Sequence, residues 1–210
     1  MDSLFAYVGF TAVLVLTPGA TTAVIVRNTL IGGRVAGFAA AMGAAVGNTS
    51  HATAAGVGLT VVFARWPAAM MALRACGATY LAWLGLRTLY RVVKHRDGGL
   101  SLHTPREADA VCEPNHVGSF KQGLTVNLLN PAIAAFYLVV VPSFLPPDAS
   151  SRSFAGLAAV HVVMALVCHG LWAIALDRVR RAFAGAGARR LLETATGVAL
   201  LMLSVRVLLG

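Results

Sequence analysis

The chain has 210 residues, of which 58% are hydrophobic and only 12% are charged. Soluble domains carry about twice that share of charged residues, so this chain lacks the groups needed to cover a water-facing surface. The composition therefore excludes a soluble globular enzyme and indicates a membrane protein. At about 20 apolar residues per crossing, the length allows six or seven helical spans and no second domain.

Six segments are apolar and long enough to cross a bilayer as helices, so we expect an all-α protein with six transmembrane helices. Their hydrophobicity is continuous rather than alternating, which favours helices over barrel strands. Long charged side chains near the ends of the third and sixth segments can reach the membrane interface. The segments are 3–26, 35–64, 69–90, 122–147, 153–176 and 191–209, and those charged residues are Arg74, Arg87, Glu193 and Arg206.

The basic residues are unevenly shared between the two sides of these spans. The first, third and fifth loops, with Arg27 and Arg34 in the first, hold 13 of the 17 Lys and Arg residues. Because Lys and Arg accumulate on the cytoplasmic side, both termini are expected outside. The net charge of +9 is then explained by topology and by contact with anionic lipids, without a nucleic-acid partner.

The third loop, residues 91–118, is expected to be a polar cytoplasmic linker between residues 1–90 and 119–210. It contains residue types that bind metals, but zinc ligands occur in closely spaced pairs and only Cys112 and His116 lie near each other. We therefore expect solvated loop residues, no metal and no disulfide framework. The loop residues concerned are His95, His103, Cys112, Glu113 and His116.

Proline interrupts the first and the fourth span. It lacks a backbone N–H and disfavours helical angles in the preceding residue, so both helices should break. Thr and Asn are good N-cap residues and proline is favoured at the first helical position, so Thr17-Pro18 and Asn130-Pro131 each predict the start of a half-helix. The alternative is a proline that only kinks its helix.

Equivalent breaks in the two halves predict an inverted repeat of three plus three helices, residues 1–90 and 119–210. In the predicted topology the two half-helices begin near mid-depth and face opposite sides. Secondary transporters use such broken helices, whose partly positive N-termini receive anionic groups. The residues expected to bind a solute here are Thr17, Pro18, Gly19, Asn127, Asn130 and Pro131.

Polar residues in the second and fifth spans are further candidates. Gly43 and Gly47 have the GxxxG spacing that allows close helix packing, and Asn48 and His51 lie beside them, where contact with the solute is expected. For His51, a hydrogen bond to a neighbouring carbonyl is the alternative. Histidine titrates near neutral pH, so the candidates for proton coupling are His51, His161 and His169.

Several motifs follow one another along most of the chain. They are Leu16-Thr17-Pro18-Gly19-Ala20, Gly32-Gly33-Arg34-Val35-Ala36-Gly37, Gly43-Ala44-Ala45-Val46-Gly47-Asn48 with His51, Gly56-Val57-Gly58-Leu59, Gly77-Ala78-Thr79-Tyr80-Leu81-Ala82-Trp83-Leu84-Gly85, Phe120-Lys121-Gln122-Gly123-Leu124 and Asn127-Leu128-Leu129-Asn130-Pro131. In order and spacing they resemble the LysE/RhtB family of amino-acid exporters. The resemblance implies a multi-pass protein of the bacterial inner membrane that expels amino acids or related small metabolites by proton exchange.

The sequence departs from this family pattern where charge matters. Ala20 and Thr21 replace a second proline and an Asn or Asp, while Asn48 and Ala132 stand where Asp and Lys are common. No acid remains near mid-depth. A neutral or zwitterionic amino acid is therefore the expected solute, because the cationic side chain of lysine or arginine would require an acidic partner in the site.

The combined expectation is a secondary exporter without catalytic residues or cofactors, whose partners are the solute and the lipid bilayer. Whether the chain forms a homodimer stays open. The alternative is a membrane scaffold or accessory subunit that binds a partner protein through its GxxxG helix faces. An intramembrane enzyme comes third, because the sequence contains no paired carboxylates, HExxH or serine nucleophile motif.

Overall fold

The computed structural model describes residues 2–57, 67–97, 115–146, 149–182 and 186–209. Nearly all of these residues are helical, and this part of the chain contains no strand. The helices are α1 Asp2–Leu16, α2 Ala20–Gly56, α3 Pro67–Asp97, α4 His116–Leu128, α5 Pro131–Ser143, α6 Ser151–Ala182 and α7 Ala186–Leu209. Residues Phe136–Val140 within α5 form a π-helical turn.

The chain reverses direction inside α2, at Gly33. This residue has φ of 75° and ψ of −175°, a conformation that is open to glycine because it lacks a Cβ atom. Ile25 packs in one buried cluster with Ala40 and Ala41, although residues 15 apart in a straight helix are separated by about 22 Å. Residues 20–32 and 34–56 therefore form two arms of α2 that pack against each other.

The helices suit a membrane. Among the described residues, Ala20–Gly56 and Ser151–Arg181 are long and apolar enough to cross it, and α4 with α5, bent by 56° at their break, would form a third crossing. Large apolar side chains face outward, as in Phe5, which is 73% exposed, and Leu209, which is 82% exposed. The chain is therefore a helical multi-pass membrane protein, and six crossings in an inverted repeat stay predictions.

The second arm of α2 packs against α4 at small residues. A Cβ atom built on Gly43 would collide with the carbonyl oxygen of Phe120, and one on Gly47 would lie 2.5 Å from Oδ1 of Asn127. The two GxxxG glycines thus allow the backbones of one chain to approach closely. This face is occupied by α4, so it is not free to bind a partner protein.

Arg27 lies inside the first arm of α2 and not in the first loop, where the sequence analysis places it. It is 3% exposed; its Nε atom donates to Oγ1 of Thr88 at 2.6 Å, and Nη1 donates to Oε1 of Gln122 at 2.9 Å. Asn28 also donates to this amide oxygen, at 3.2 Å. The partners offset the cost of burying a charged group.

The predicted linker is partly helical, because α3 continues to Asp97 and α4 begins at His116. Residues 98–114, with His103, Cys112 and Glu113, lie outside the described residues, and so does the side chain of His95. Within the described ranges, no group of three or more His, Cys, Asp and Glu residues is arranged to hold a metal ion.

Candidate functional site

Both helix breaks line one cavity of about 410 Å³. This volume is within the range of pockets that bind small organic molecules. All predicted solute-binding residues except His51 line this cavity, together with two of the three predicted proton-coupling histidines. These lining residues are Thr17, Pro18, Gly19, Asn48, Asn127, Asn130, Pro131, His161 and His169.

The first break is not capped as predicted. Thr17 donates its hydroxyl group to the carbonyl oxygen of Val13 at 2.8 Å, an oxygen that also accepts from the backbone N–H of Thr17, so the side chain points back to α1. The next helix begins only at Ala20, with Gly19 at the N-cap position and no side-chain hydrogen bond. The prediction that Thr17 caps the half-helix after the first break is therefore wrong, although Thr17 does line the cavity.

The start of α2 consequently presents free backbone donors. The first N–H groups of a helix have no partner within the helix, and no side chain in the described part of the chain caps them here. Ala20, Thr21 and Thr22 form this first turn, and all three line the cavity. The partly positive end of the first arm of α2 is thus directed at the cavity.

The second break is capped as the sequence predicts. Oδ1 of Asn130 accepts a hydrogen bond from the backbone N–H of Ala132 at 3.1 Å, and Pro131 stands at the beginning of α5. The Nδ2 atom of Asn130 also donates to Oγ1 of Thr21 at 3.4 Å. One side chain therefore connects the starts of the two half-helices.

An amide pair forms another part of the cavity wall. Nδ2 of Asn127 donates to Oδ1 of Asn48 at 2.8 Å, and both residues are 1% exposed. Oδ1 of Asn127 has no hydrogen-bond partner among the described residues. Leaving such a buried acceptor unpaired costs about 1–3 kcal/mol, and this oxygen lies against Gly47 where α4 packs on the second arm of α2.

His51 lies behind this pair and is not one of the cavity-lining residues. Its Nε2 atom is 3.1 Å from the carbonyl oxygen of Asn127, and its ring stacks on Tyr137 with ring centres 6.5 Å apart. The alternative interpretation from the sequence, a hydrogen bond to a neighbouring carbonyl, describes this arrangement. His51 therefore holds the backbone of Asn127 from outside the cavity.

The two histidines of α6 contact both half-helices. Nδ1 of His161 is 2.7 Å from Oη of Tyr137 in α5, and Nε2 of His169 is 3.5 Å from Oγ1 of Thr22 in α2. His161 is 1% exposed and His169 is 6% exposed. Titratable groups thus lie at the cavity wall beside both helix starts.

Sequence reasoning did not assign several residues to this site. Arg74 and Arg206 were expected at the membrane interface, yet both line the cavity. Tyr137 and Thr22, which contact the histidines, are not among the residues that the sequence predicts for the site. The position of Arg74 and Arg206 inside apolar segments is a signal in the sequence. However, the spacing of residues along the chain does not distinguish a side chain that reaches the membrane interface from one that faces a cavity.

Helices broken in mid-chain around a cavity of solute size, whose mainly apolar wall carries polar side chains at both breaks, define a membrane transporter. The family is identified by comparison with known proteins, because residues 12–210 match the family described as LysE type translocator. The chain belongs to this family, which confirms the resemblance found in its motifs. The family is one of transporters and not of enzymes.

Three relatives illustrate the similarity. The chain is 25% identical over 207 residues to the uncharacterized membrane protein YrhP of Bacillus subtilis, a match that covers 98% of both proteins. It is 30% identical over 142 residues, 68% of its length, to a leucine efflux protein of Klebsiella pneumoniae, of which 63% is covered. It is also 30% identical over 144 residues, 69% of its length, to a homoserine/homoserine lactone efflux protein of Salmonella typhimurium, of which 65% is covered.

The matched region therefore spans less than two thirds of each of these two efflux proteins. No solved structure matches the chain significantly.

Proposed function

We propose that this protein exports amino acids or related small metabolites across the bacterial inner membrane, with the cavity between the two helix breaks as the binding site. The meeting of two distant helix breaks at one cavity, with polar side chains from both breaks in its wall, is the observation that carries this function. Relatives named for leucine efflux and for homoserine and homoserine lactone efflux support amino-acid chemistry. Six crossings in an inverted three-plus-three arrangement, with both termini outside, complete the proposal.

The carboxylate of the solute binds at the start of α2. The N–H groups of Ala20, Thr21 and Thr22 have no side-chain cap among the described residues, and a helix N-terminus attracts anions. The start of α5 is less suited, because the side chain of Asn130 already bonds to its first turn.

The described wall of the cavity contains no Asp or Glu. A cationic side chain would lack an acidic partner in this site, so neutral or zwitterionic amino acids or close derivatives are preferred to cationic ones. Export is coupled to proton exchange through His161 and His169, which line the cavity, whereas His51 supports the wall.

Efflux from proteoliposomes tests this function. Liposomes containing the purified protein are loaded with labelled leucine or homoserine, and both are expected to leave faster than from protein-free liposomes. Leucinamide, which lacks the carboxylate, is expected to leave slowly. If no amino acid of a broad panel leaves faster than from protein-free liposomes, export is refuted. If leucinamide leaves as fast as leucine, the carboxylate site at α2 is refuted.

Reporter fusions test the topology separately. Fusions within residues 98–114 and after Arg181 are expected to report the cytoplasm, and fusions at Asp148 and at the C-terminus are expected to report the outside. A cytoplasmic N-terminus would contradict six crossings and the inverted repeat.

A further inference from the structure

Two arginines line the cavity from the wall that α3 and α7 form together. These helices cross where a Cβ atom on Gly85 would lie 2.9 Å from the carbonyl oxygen of Gly197. Arg74 precedes the crossing by 11 residues and Arg206 follows it by 9 residues, which corresponds to about 16 and 14 Å along the two helices. Because both side chains reach one cavity, they lie at the same end of this helix pair.

Neither arginine forms an ion pair with any residue in the described ranges. The described cavity lining contains no carboxylate that would balance them. A guanidinium group keeps its charge over the whole working pH range of proteins. Clefts lined by one sign of charge concentrate the electrostatic potential, so this cavity attracts anions and repels cations.

The start of α2 and the two arginines contribute to the cavity wall from different helices. The first turn of α2 offers backbone donors to one carboxylate, as proposed above. Arg74 and Arg206 then remain available to a second carboxylate on the same solute, with charge-assisted hydrogen bonds as the source of affinity. A second positive charge on the solute would instead face two guanidinium groups.

Building on the export function proposed above, we propose that Arg74 and Arg206 are specificity-determining residues that rank solutes by net charge. An acidic amino acid binds best, a zwitterion binds less well, and a cationic amino acid binds worst. The substrate class therefore extends from neutral amino acids to dicarboxylic ones.

Glutamate and glutamine are the probe pair, because they have nearly the same shape and differ by one charge. Each is added as a competitor of leucine exchange in proteoliposomes. In the unaltered protein, glutamate is expected to inhibit at lower concentration than glutamine. The double substitution Arg74→Gln/Arg206→Gln is expected to reduce this preference about tenfold and each single substitution about threefold.

Ionic strength provides a second readout. Arg206 is exposed and Arg74 is half-buried, so salt is expected to screen their effect on the solute. Raising the salt concentration should weaken the glutamate preference of the unaltered protein and leave the double variant unchanged. Inhibition by lysine should become stronger in the double variant.

Arg152→Gln is the matched control, since Arg152 is an exposed arginine at the start of α6 outside the cavity lining. It is expected to leave the ratio of glutamate to glutamine inhibition unchanged. Leucine exchange reports whether each variant folds, and the single variants carry the test if the double variant is inactive.

Two negative results have different meanings. Absence of leucine exchange in the unaltered protein would refute the proposed export function. If leucine exchange is normal and the ratio of glutamate to glutamine inhibition is the same in the unaltered protein and in the arginine variants, charge selection by the arginines is overturned. The proposed export function would not be affected by that result.

Discussion

Asn127 donates from Nδ2 to Oδ1 of Asn48 at 2.8 Å and thereby ties α4 to the second arm of α2 at the cavity wall. The backbone carbonyl of Asn127 also accepts a hydrogen bond from His51 at 3.1 Å. One residue beside the second helix break is thus held through both its side chain and its backbone. A change at Asn48 that keeps this acceptor should alter the cavity without disturbing the helix packing.

Asn48→Asp is such a change, because aspartate has nearly the same shape and still accepts from Asn127. We expect the ratio of lysine to leucine transport to rise about tenfold, since a carboxylate attracts a cationic side chain strongly where water is scarce. Exchange of both amino acids in proteoliposomes measures the ratio. Asn115→Asp, at an exposed position outside the cavity lining, is the control. An unchanged ratio in the Asn48 variant would mean that this residue does not face the solute.

Asn130→Ala and Asn115→Ala remove two helix caps that differ in position. Asn130 accepts from Ala132 at 3.1 Å and Asn115 accepts from Gly118 at 2.7 Å, but only Asn130 lines the cavity. Loss of either cap should cost about 1 kcal/mol of stability, seen as similar decreases in Tm. Only Asn130→Ala should also weaken leucine binding, by about tenfold if the cost at the site is about 1.4 kcal/mol. Equal affinities in the two variants would give Asn130 a structural role alone.

His161→Gln and His169→Gln should separate proton coupling from solute binding. We expect each to slow leucine efflux driven by a proton gradient about tenfold or more, while exchange without a gradient is less affected. His51→Gln should slow both processes equally, because His51 supports Asn127 and does not line the cavity. His116→Gln, at the exposed first residue of α4, is the control. Equal losses of driven efflux and exchange in the α6 variants would contradict their role in coupling.

Gly33→Ala should destabilise the fold by about 1–3 kcal/mol, because φ of 75° strains any residue with a side chain. The new Cβ atom would also lie 3.1 Å from Nη2 of Arg180. Thermal unfolding in detergent measures the decrease in Tm. Gly156→Ala in α6 is the control, since its Cβ atom would meet nothing within 4 Å and alanine favours a helix. The same Tm for both variants would contradict the strained turn.

The sequence by itself determined the features that depend on composition and local backbone chemistry. Scarcity of charge excluded a soluble surface, and proline forced the breaks before Ala20 and Pro131, since it removes a backbone donor wherever it stands. Asn130 was predicted as a cap because capping involves only its immediate neighbours. The ordered motifs were sufficient to identify the transporter family, as the match over residues 12–210 confirms.

Only the tertiary structure decided which polar side chains meet. His51 and His161 are both histidines in apolar segments. His51 contacts the backbone of Asn127 and does not line the cavity, whereas His161 lines it. Arg27 bonds to Thr88 and Gln122 within the helices, whereas Arg74 faces the cavity. These outcomes depend on how each helix is rotated and how its neighbours pack, and contacts between residues far apart in sequence set both.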